Sequence, residues 1–398
     1  MHTIPATPAP VQTYVLSDLH LSDAEPVDPR RPLWKRFKQR DLFIDGSFGR
    51  FLGWVRAEHP AGGVELVLNG DVFDFDSVMT IPPKGQLSAS WLERRRGLAP
   101  EAAKSLYKMG VILRDHAAWV QSLAEFVRAG NHVVFVIGNH DLELHWPRVQ
   151  ACLRDALDLS EAEHLRVRIC EWFYVSGGDT LITHGNQYDA YCLCHNPVNP
   201  TIRGTGVPRI RQPFGNIAGK LMLNGMGLFN PHVDGSFIKS PTEYVVFYVR
   251  YVMRVQPFLM FSWLWTAMAT LVISLREGFL PALTDPLTLD DRVDAIATKS
   301  QADPKTVRAL SALAVHPAIF NPAKILRELW LDRALLVLII LFGSFQLGTM
   351  LNLFANVSLW WTFLVAAVAT PPFMLYARGV ISDVVEVQKT IRQRLSIA

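Results

Sequence analysis

Four short apolar runs in the first half of the chain end in the same way. Tyr14, Val15 and Leu16 stop at Ser17, and Asp18, His20 and Asp23 follow. Val64, Leu66, Val67 and Leu68 lead into Asn69, Gly70 and Asp71, with Asp74 three residues further on. Val133 to Ile137 lead into Gly138, Asn139, His140 and Asp141, and a fourth run, 179–189, carries His184 and Gly185. Short runs rich in Val, Ile and Phe, bounded by Gly and Asp, predict buried strands. The stretch "AAWVQSLAEFVRAG" (117–130), closed by Gly130, predicts a helix between two of them. The alternation reads as a soluble α/β domain over residues 1–250.

Beyond residue 250 the pattern changes. Between Arg254 and Arg276 lie 21 uncharged residues, and between Arg333 and Arg378 lie 44. About 20 apolar residues cross a bilayer core, so 334–377 has room for a transmembrane hairpin turning near 352–358. Lys324, Arg327 and Arg333 precede it, and Arg378, Lys389, Arg392 and Arg394 follow. The positive-inside rule then puts both its ends in the cytoplasm. If 255–275 also crossed, the two ends of the chain would face opposite sides. The expected arrangement is therefore a hydrophobic interfacial or membrane helix at 251–280, lying in the interface or packed on the hairpin. A helical linker (281–333), the hairpin and an amphipathic helix (378–398) follow it.

Composition narrows the reading. Half of the residues are hydrophobic and mean hydropathy is +0.17, high for a soluble enzyme. A formal charge of +3 gives no basis for nucleic-acid binding. Four cysteines are too few for a disulfide scaffold and read as reduced thiols. The N-terminus has neither a basic start nor an apolar core, so it does not read as a secretory signal.

The strand ends carry the chemistry. In open α/β sheets, ligands collect beyond the carboxyl ends of the strands. Oxygen and imidazole groups converging there make a metal site, and a carboxylate between two cations, here Asp71, can bridge them. Two metals about 3.5–4 Å apart polarise a phosphoryl group and activate the attacking water. Asn139 would add a neutral carbonyl ligand. Singly, each element is weak: an Asp-x-His after a strand is more often a cap or turn, and a lone His184 more often a satisfied core histidine. In this order, each at a strand end, they converge.

The motifs "SDLHL", "GDVFDF", "GNHD" and "THG" resemble those of the calcineurin-like metallophosphoesterases, nearest the bacterial UDP-2,3-diacylglucosamine pyrophosphohydrolase branch, over residues 12 to about 190. The resemblance implies a four-layer α/β sandwich, two mixed sheets flanked by helices, and a dinuclear centre, often manganese, with iron, zinc or magnesium as alternatives. It assigns Asp18 and His20 to one metal, Asp71 to the bridge, and Asn139 and His184 to the second. His140 would act over the leaving oxygen, and Asp74 would orient a histidine. The family completes its site with a late Gly-His-x-His pair. None of His195, His232 and His316 stands in such a motif. A chain cut short before that pair is the expectation, with a degenerate or rewired site as the alternative.

The expected activity is hydrolysis of a phosphate ester or pyrophosphate by metal-activated water. The apolar segments favour a phosphorylated or lipid-linked substrate at the membrane, here a bacterial inner membrane with the catalytic domain in the cytoplasm. A membrane-anchored, inactive binding protein is the competing class. The basic run "RRPLWKRFKQR" (30–40) reads equally as a phosphate- or lipid-facing element and as a solvated helix face.

Overall fold

A computed structural model describes residues 10, 12–29, 35–203, 206–225, 246, 249–250, 253, 259–283 and 289–355. Its main sheet holds β1 (Thr13–Leu16), β2 (Glu65–Asn69), β3 (His132–Val136) and β4 (Val167–Cys170), side by side in that order and all parallel. Leu16 pairs with Leu68, and Leu68 with Phe135. This register aligns the carboxyl ends of β1, β2 and β3 at one edge. The loops beginning at Ser17, Gly70 and Ile137 therefore meet there.

Both faces of the sheet are buried, as parallel sheets require. Side chains alternate along a strand, and the two faces form separate apolar clusters. Leu66, Leu68, Val133 and Phe135 belong to the larger one. It also takes in α1 (Asp45–Glu58), α3 (Ala102–Asp115), α4 (Ala117–Arg128) and α5 (Pro147–Ala156). Between them lies α2 (Trp91–Arg96), whose Ser90 and Glu93 form a capping box. A single capped turn, α6 (Glu161–His164), follows α5. At the cluster's centre Trp119 stands edge-on to Phe73 (5.7 Å) and Phe135 (6.5 Å) and stacks on Phe48.

Val67, Val134 and Val136 point the other way and pack with Tyr174 and Ile182. Those two sit on an antiparallel pair, β5 (Phe173–Ser176) and β6 (Thr180–Thr183). The outer side of β5 is covered in turn. Trp172 and Phe173 pack with Val293, Ile296 and Ala297 of α9 (Leu289–Lys299) and Val307 of α10 (Pro304–Ala312). Arg168 ties the same layer by donating to the Lys299 carbonyl at 2.8 Å. Apolar contacts thus run helix, sheet, strand pair, helix. The expectation of two mixed sheets needs correction among the described residues: the larger sheet is wholly parallel, and the second is one antiparallel pair. Part of the stretch read as a helical linker supplies the outer helical cover.

A hairpin of β7 (Thr201–Arg203) and β8 (Pro208–Ile210) leads into α7 (Phe214–Met222). Against α7 and the turn Ala318–Phe320 lies α8 (Leu259–Phe279), which falls on the run expected as interfacial. Residues 234–246 and 323–398 form a second unit. It holds α11 (Pro322–Glu328) and α12 (Leu331–Ala355). Among the described residues one helix, Leu331–Phe354, is long and apolar enough to cross a membrane by length and composition. Its side chains are largely exposed, Phe342, Phe345 and Leu353 among them. The return half of the expected hairpin and the helix expected at 378–398 lie outside the described residues.

Phe135 is fully buried where the sheet meets Trp119 and Phe73. Phe135→Ala should cost about 3–5 kcal/mol of stability, read as a lower unfolding midpoint in urea.

Candidate metal centre

Three loops at the carboxyl edge are fastened to one another through their backbones. The Asp18 amide donates to the Gly70 carbonyl (3.1 Å), His20 to Asp71 (2.9 Å) and Leu21 to Val72 (2.9 Å). The His140 amide donates to Asp71 Oδ1 at 2.8 Å. Asp141, fully buried, accepts from the amides of Val72 and Gly138, so one carboxylate holds the second and third loops together. The turns are strained. Asp18, His20 and Asp71 have φ of 58°, 49° and 53°, in the left-handed region. Each costs about 1–2 kcal/mol for a residue with a Cβ, and such outliers cluster where geometry serves function.

The loops bring the side chains together around Asp71. Asp71 Oδ2 lies 3.3 Å from His184 Nε2 and 3.9 Å from His20 Nε2. His20 Nε2 is also 3.8 Å from Asp18 Oδ1. Two triads share Asp71: Asp18–Asp71–His184 and His20–Asp71–His140, each with its donor atoms within 4.8 Å of one another. His184 Nδ1 lies 2.9 Å from the Asn69 carbonyl, a hydrogen bond that leaves Nε2 facing Asp71. A ligating imidazole is oriented in this way by its other nitrogen. A methyl group at Gly138 would fall 2.7 Å from the Asp71 backbone nitrogen and 3.0 Å from His184 Cδ2, so the position admits no side chain.

The charges are balanced only by mutual contact. Burial opposes ionisation of Asp71, but the hydrogen bond from His184 and the charges of His140, His184 and His20 hold its pKa near 2. Burial pulls His184 down, and Asp71 outweighs it, leaving His184 at about 9. Asp141 is pushed up to about 7 by burial and by Asp71. Buried Asp71, Asp74 and Asp76 facing three imidazoles form a donor set that suits hard or borderline divalent cations.

His140 stands where the second acidic group gathers. Its Nδ1 lies 3.3 Å from Asp74 Oδ1 and 3.6 Å from Asp76 Oδ2. Burial would lower its pKa, but Asp74, Asp71 and Asp76 raise it to about 10. Asp74 also accepts from the Ser77 amide at 3.0 Å and lies 3.9 Å from His20 Nδ1. Asn139 is buried, and its amide nitrogen donates to Asn216 Oδ1 (3.4 Å), an orientation that commits its nitrogen and not its oxygen to α7. Asn216 in turn donates to the Asn139 carbonyl (2.7 Å) and to Asp76 Oδ2 (2.6 Å).

The structure therefore brings Asp18, His20, Asp71, His184, His140 and Asp74 into one cluster, with Asn139 beside it. One triad holds Asp18 with His184 and the other His20 with His140, and Asp18 Oδ1 and His20 Nε2, the pair that the resemblance assigns to one metal, lie 3.8 Å apart. Asp76, Asp141 and Asn216 carried no role in the sequence reading. Asp141 stood inside the quoted motif "GNHD" and Asp76 directly follows "GDVFDF", whereas Asn216 stands in neither. Asp23, prominent in the first motif, binds Lys38 (2.5 Å) and the Thr80 amide (2.8 Å) and braces the fold. Lys35 and Lys38 of the basic run are buried and paired with Glu25 and Asp23, so these two are not a solvated face. His195 and His316 pack around Phe320, away from the triads, and His232 lies outside the described residues.

Residues 11–210, half of the chain, match the family model described as calcineurin-like phosphoesterase. No curated protein and no solved structure matched the chain.

Two outcomes follow from this geometry. Gly138→Ala should weaken divalent-metal binding by about 10–100-fold, the range for disturbed supports of a metal site, read by titration calorimetry. His184 near 9 is protonated at neutral pH, and a metal ligand must be neutral. Metal binding at pH 7.5 should release about one proton from this group, and affinity should rise with pH up to about 9. Calorimetry in two buffers of different ionisation enthalpy measures the release, and equal heats would contradict it.

Proposed function

Because the chain belongs to the calcineurin-like phosphoesterase family, we propose that it hydrolyses a phosphate ester or pyrophosphate at the Asp71 cluster, with lipid-linked compounds as the substrate class. The observation that carries this reading is the sharing of one buried carboxylate, Asp71, by two donor triads. Asp18, His20, Asp71, Asn139 and His184 are the ligands in this reading, Asp71 the bridge, and manganese the preferred metal. Two divalent cations held there would supply charge neutralisation at the phosphoryl group and a more acidic attacking water.

The chain's own groups do the rest. Asp71 keeps its charge because three imidazoles surround it. His140, held protonated by Asp74, Asp71 and Asp76, gives its proton to the leaving oxygen. Asp74 fixes the ring through Nδ1 and so aims it. Asn216 positions Asn139 from α7.

The lipid-linked substrate, and the diacylglucosamine-type branch within the family, draw support from two features. A pocket of about 200 Å³ opens beside Asp18 and His20, and Leu19, Phe37, Leu42, Phe43 and Ile44 form its apolar wall. The same chain carries Leu331–Phe354, of membrane-spanning length. We read that helix as the anchor and the catalytic unit as cytoplasmic. The second reading, a membrane-anchored and inactive phosphoesterase-like binding protein, is favoured by one observation. Among the described residues no late histidine joins the triads.

The test uses the full chain loaded with Mn2+, with bis(p-nitrophenyl) phosphate as probe. Asp71→Asn should lose at least one metal per chain by elemental analysis. His140→Ala should keep its metal and lower turnover by about 10²–10⁴-fold, the range for a general acid. Bound metal with no hydrolysis by the natural chain, of this probe or of a diphosphate-linked glycolipid, would favour the inactive reading.

A further inference from the structure

The helix α8 wears its polarity inside out. Thr266, Ala267, Thr270, Ser274 and Glu277 are buried, and they recur at helical spacing along one face. Phe261, Leu264, Trp265, Met268, Val272 and Phe279 are exposed along the other, Phe261 at 73% and Phe279 at 85%. A helix on a water-soluble domain shows the reverse order, apolar toward the core and polar outward. Two of the inner hydroxyls bond back to the helix's own carbonyls. Thr266 Oγ1 donates to the Ser262 carbonyl and Thr270 Oγ1 to the Thr266 carbonyl, both at 2.8 Å. Glu277 is the helix's one acid, and it pairs with Arg209 of β8. These contacts, with α7 packed alongside, hold α8 to the catalytic unit by one face.

That attachment decides between two membrane roles. A spanning helix meets hydrocarbon around its circumference or buries itself among other spans. Here one face is committed to the catalytic unit, so the outer stripe lies along the surface of that unit. From Phe261 to Phe279 the stripe runs about 27 Å at 1.5 Å per residue. It exceeds a scattered exposed side chain and marks an interaction surface. Its charge names the partner. Arg250 and Arg276 are exposed at or before the stripe, and no exposed acid lies on α8. Aromatic and aliphatic side chains flanked by arginine suit the boundary between acyl chains and anionic headgroups. The Leu331–Phe354 helix would keep such a surface within reach of the unit.

We propose that α8 docks the catalytic unit onto an anionic lipid bilayer, lying in the plane of the interface with Phe261, Trp265, Met268, Val272 and Phe279 inserted. The docking rests on the membrane anchoring read above and on nothing in the hydrolytic reading. Because α7 carries both the contact with the inner face of α8 and Asn216, it links the docking helix to the metal centre.

Nitroxide depth measurements test this in the full chain, reconstituted in phosphatidylglycerol–phosphatidylethanolamine bilayers. Labels go on Phe261→Cys, Met268→Cys, Val272→Cys and Phe279→Cys, and on Leu338→Cys and Phe345→Cys of α12, with the four natural cysteines replaced by Ala. The four α8 labels should be reached by dissolved oxygen at one shared shallow depth. A depth that passes through the bilayer centre along α8 would make it a span and overturn the proposal. So would access to an aqueous nickel complex alone, or protection from both reagents, which means cover by protein. Deep α12 labels with wet α8 labels would sink the docking alone, and wet labels on both helices would sink the anchor as well. Should the cysteine-free chain fail to fold, p-benzoylphenylalanine at Phe261 and Phe279 in the natural background gives a second measurement. Lipid adducts at both positions support docking, and adducts to protein, or none, refute it.

Discussion

Everything at the candidate centre depends on keeping Asp71 ionised while it is buried. A carboxylate taken out of water without partners takes up a proton instead. Asp71 escapes this because the His140 amide donates to one oxygen and His184 and His20 approach the other. Those partners come from loops far apart in the chain, after β1, β3 and β6. They meet because parallel pairing in register puts the ends of β1, β2 and β3 at one edge, and Asp141 clamps two of the loops. The small residues follow from the same requirement, since a Cβ at Gly138 would collide with Asp71 and His184.

The acids and imidazoles form a graded set. Asp71 lies near 2, Asp76 near 6, Asp141 near 7, His184 near 9 and His140 near 10. Groups of similar chemistry within a few ångströms are driven apart by burial and by each other's charge. A cluster that holds ionised carboxylate beside protonated imidazole can accept a cation at one end and release a proton at the other, the combination that phosphoryl hydrolysis uses. The strained backbone at Asp18, His20 and Asp71 has the same character. It is affordable because flanking hydrogen bonds leave those turns no alternative.

Polarity is arranged differently elsewhere in the chain. The main sheet buries Val, Leu and Phe on both faces, whereas α8 buries threonine, serine and glutamate and exposes phenylalanine and tryptophan. The sheet is organised against water. The outer face of α8 and the exposed length of α12 show the opposite order, apolar where nothing covers them.

Much of this was legible in order of sequence. The strands appear as short unbroken apolar runs rich in Val and Phe, and their ends announce themselves by Gly, Asp, Asn and His. Asp18, His20, Asp71, Asn139, His140 and His184 stood out at those ends, and the resemblance of the motifs supplied their roles and that of Asp74. What the sequence could not say was who faces whom. That Asp18 and His184 gather on one side of Asp71, and His20 and His140 on another, is set by left-handed turns that no residue type forces. Asn216 supports Asn139 from 77 residues away with no local signal. Asp23 and Lys38 looked like site chemistry and became a buried brace once folding placed them 2.5 Å apart. An uncharged run tells only that its side chains avoid water. Which face of α8 is covered, and by what, was decided by packing on α7, because burial belongs to the fold and hydrophobicity to the residue.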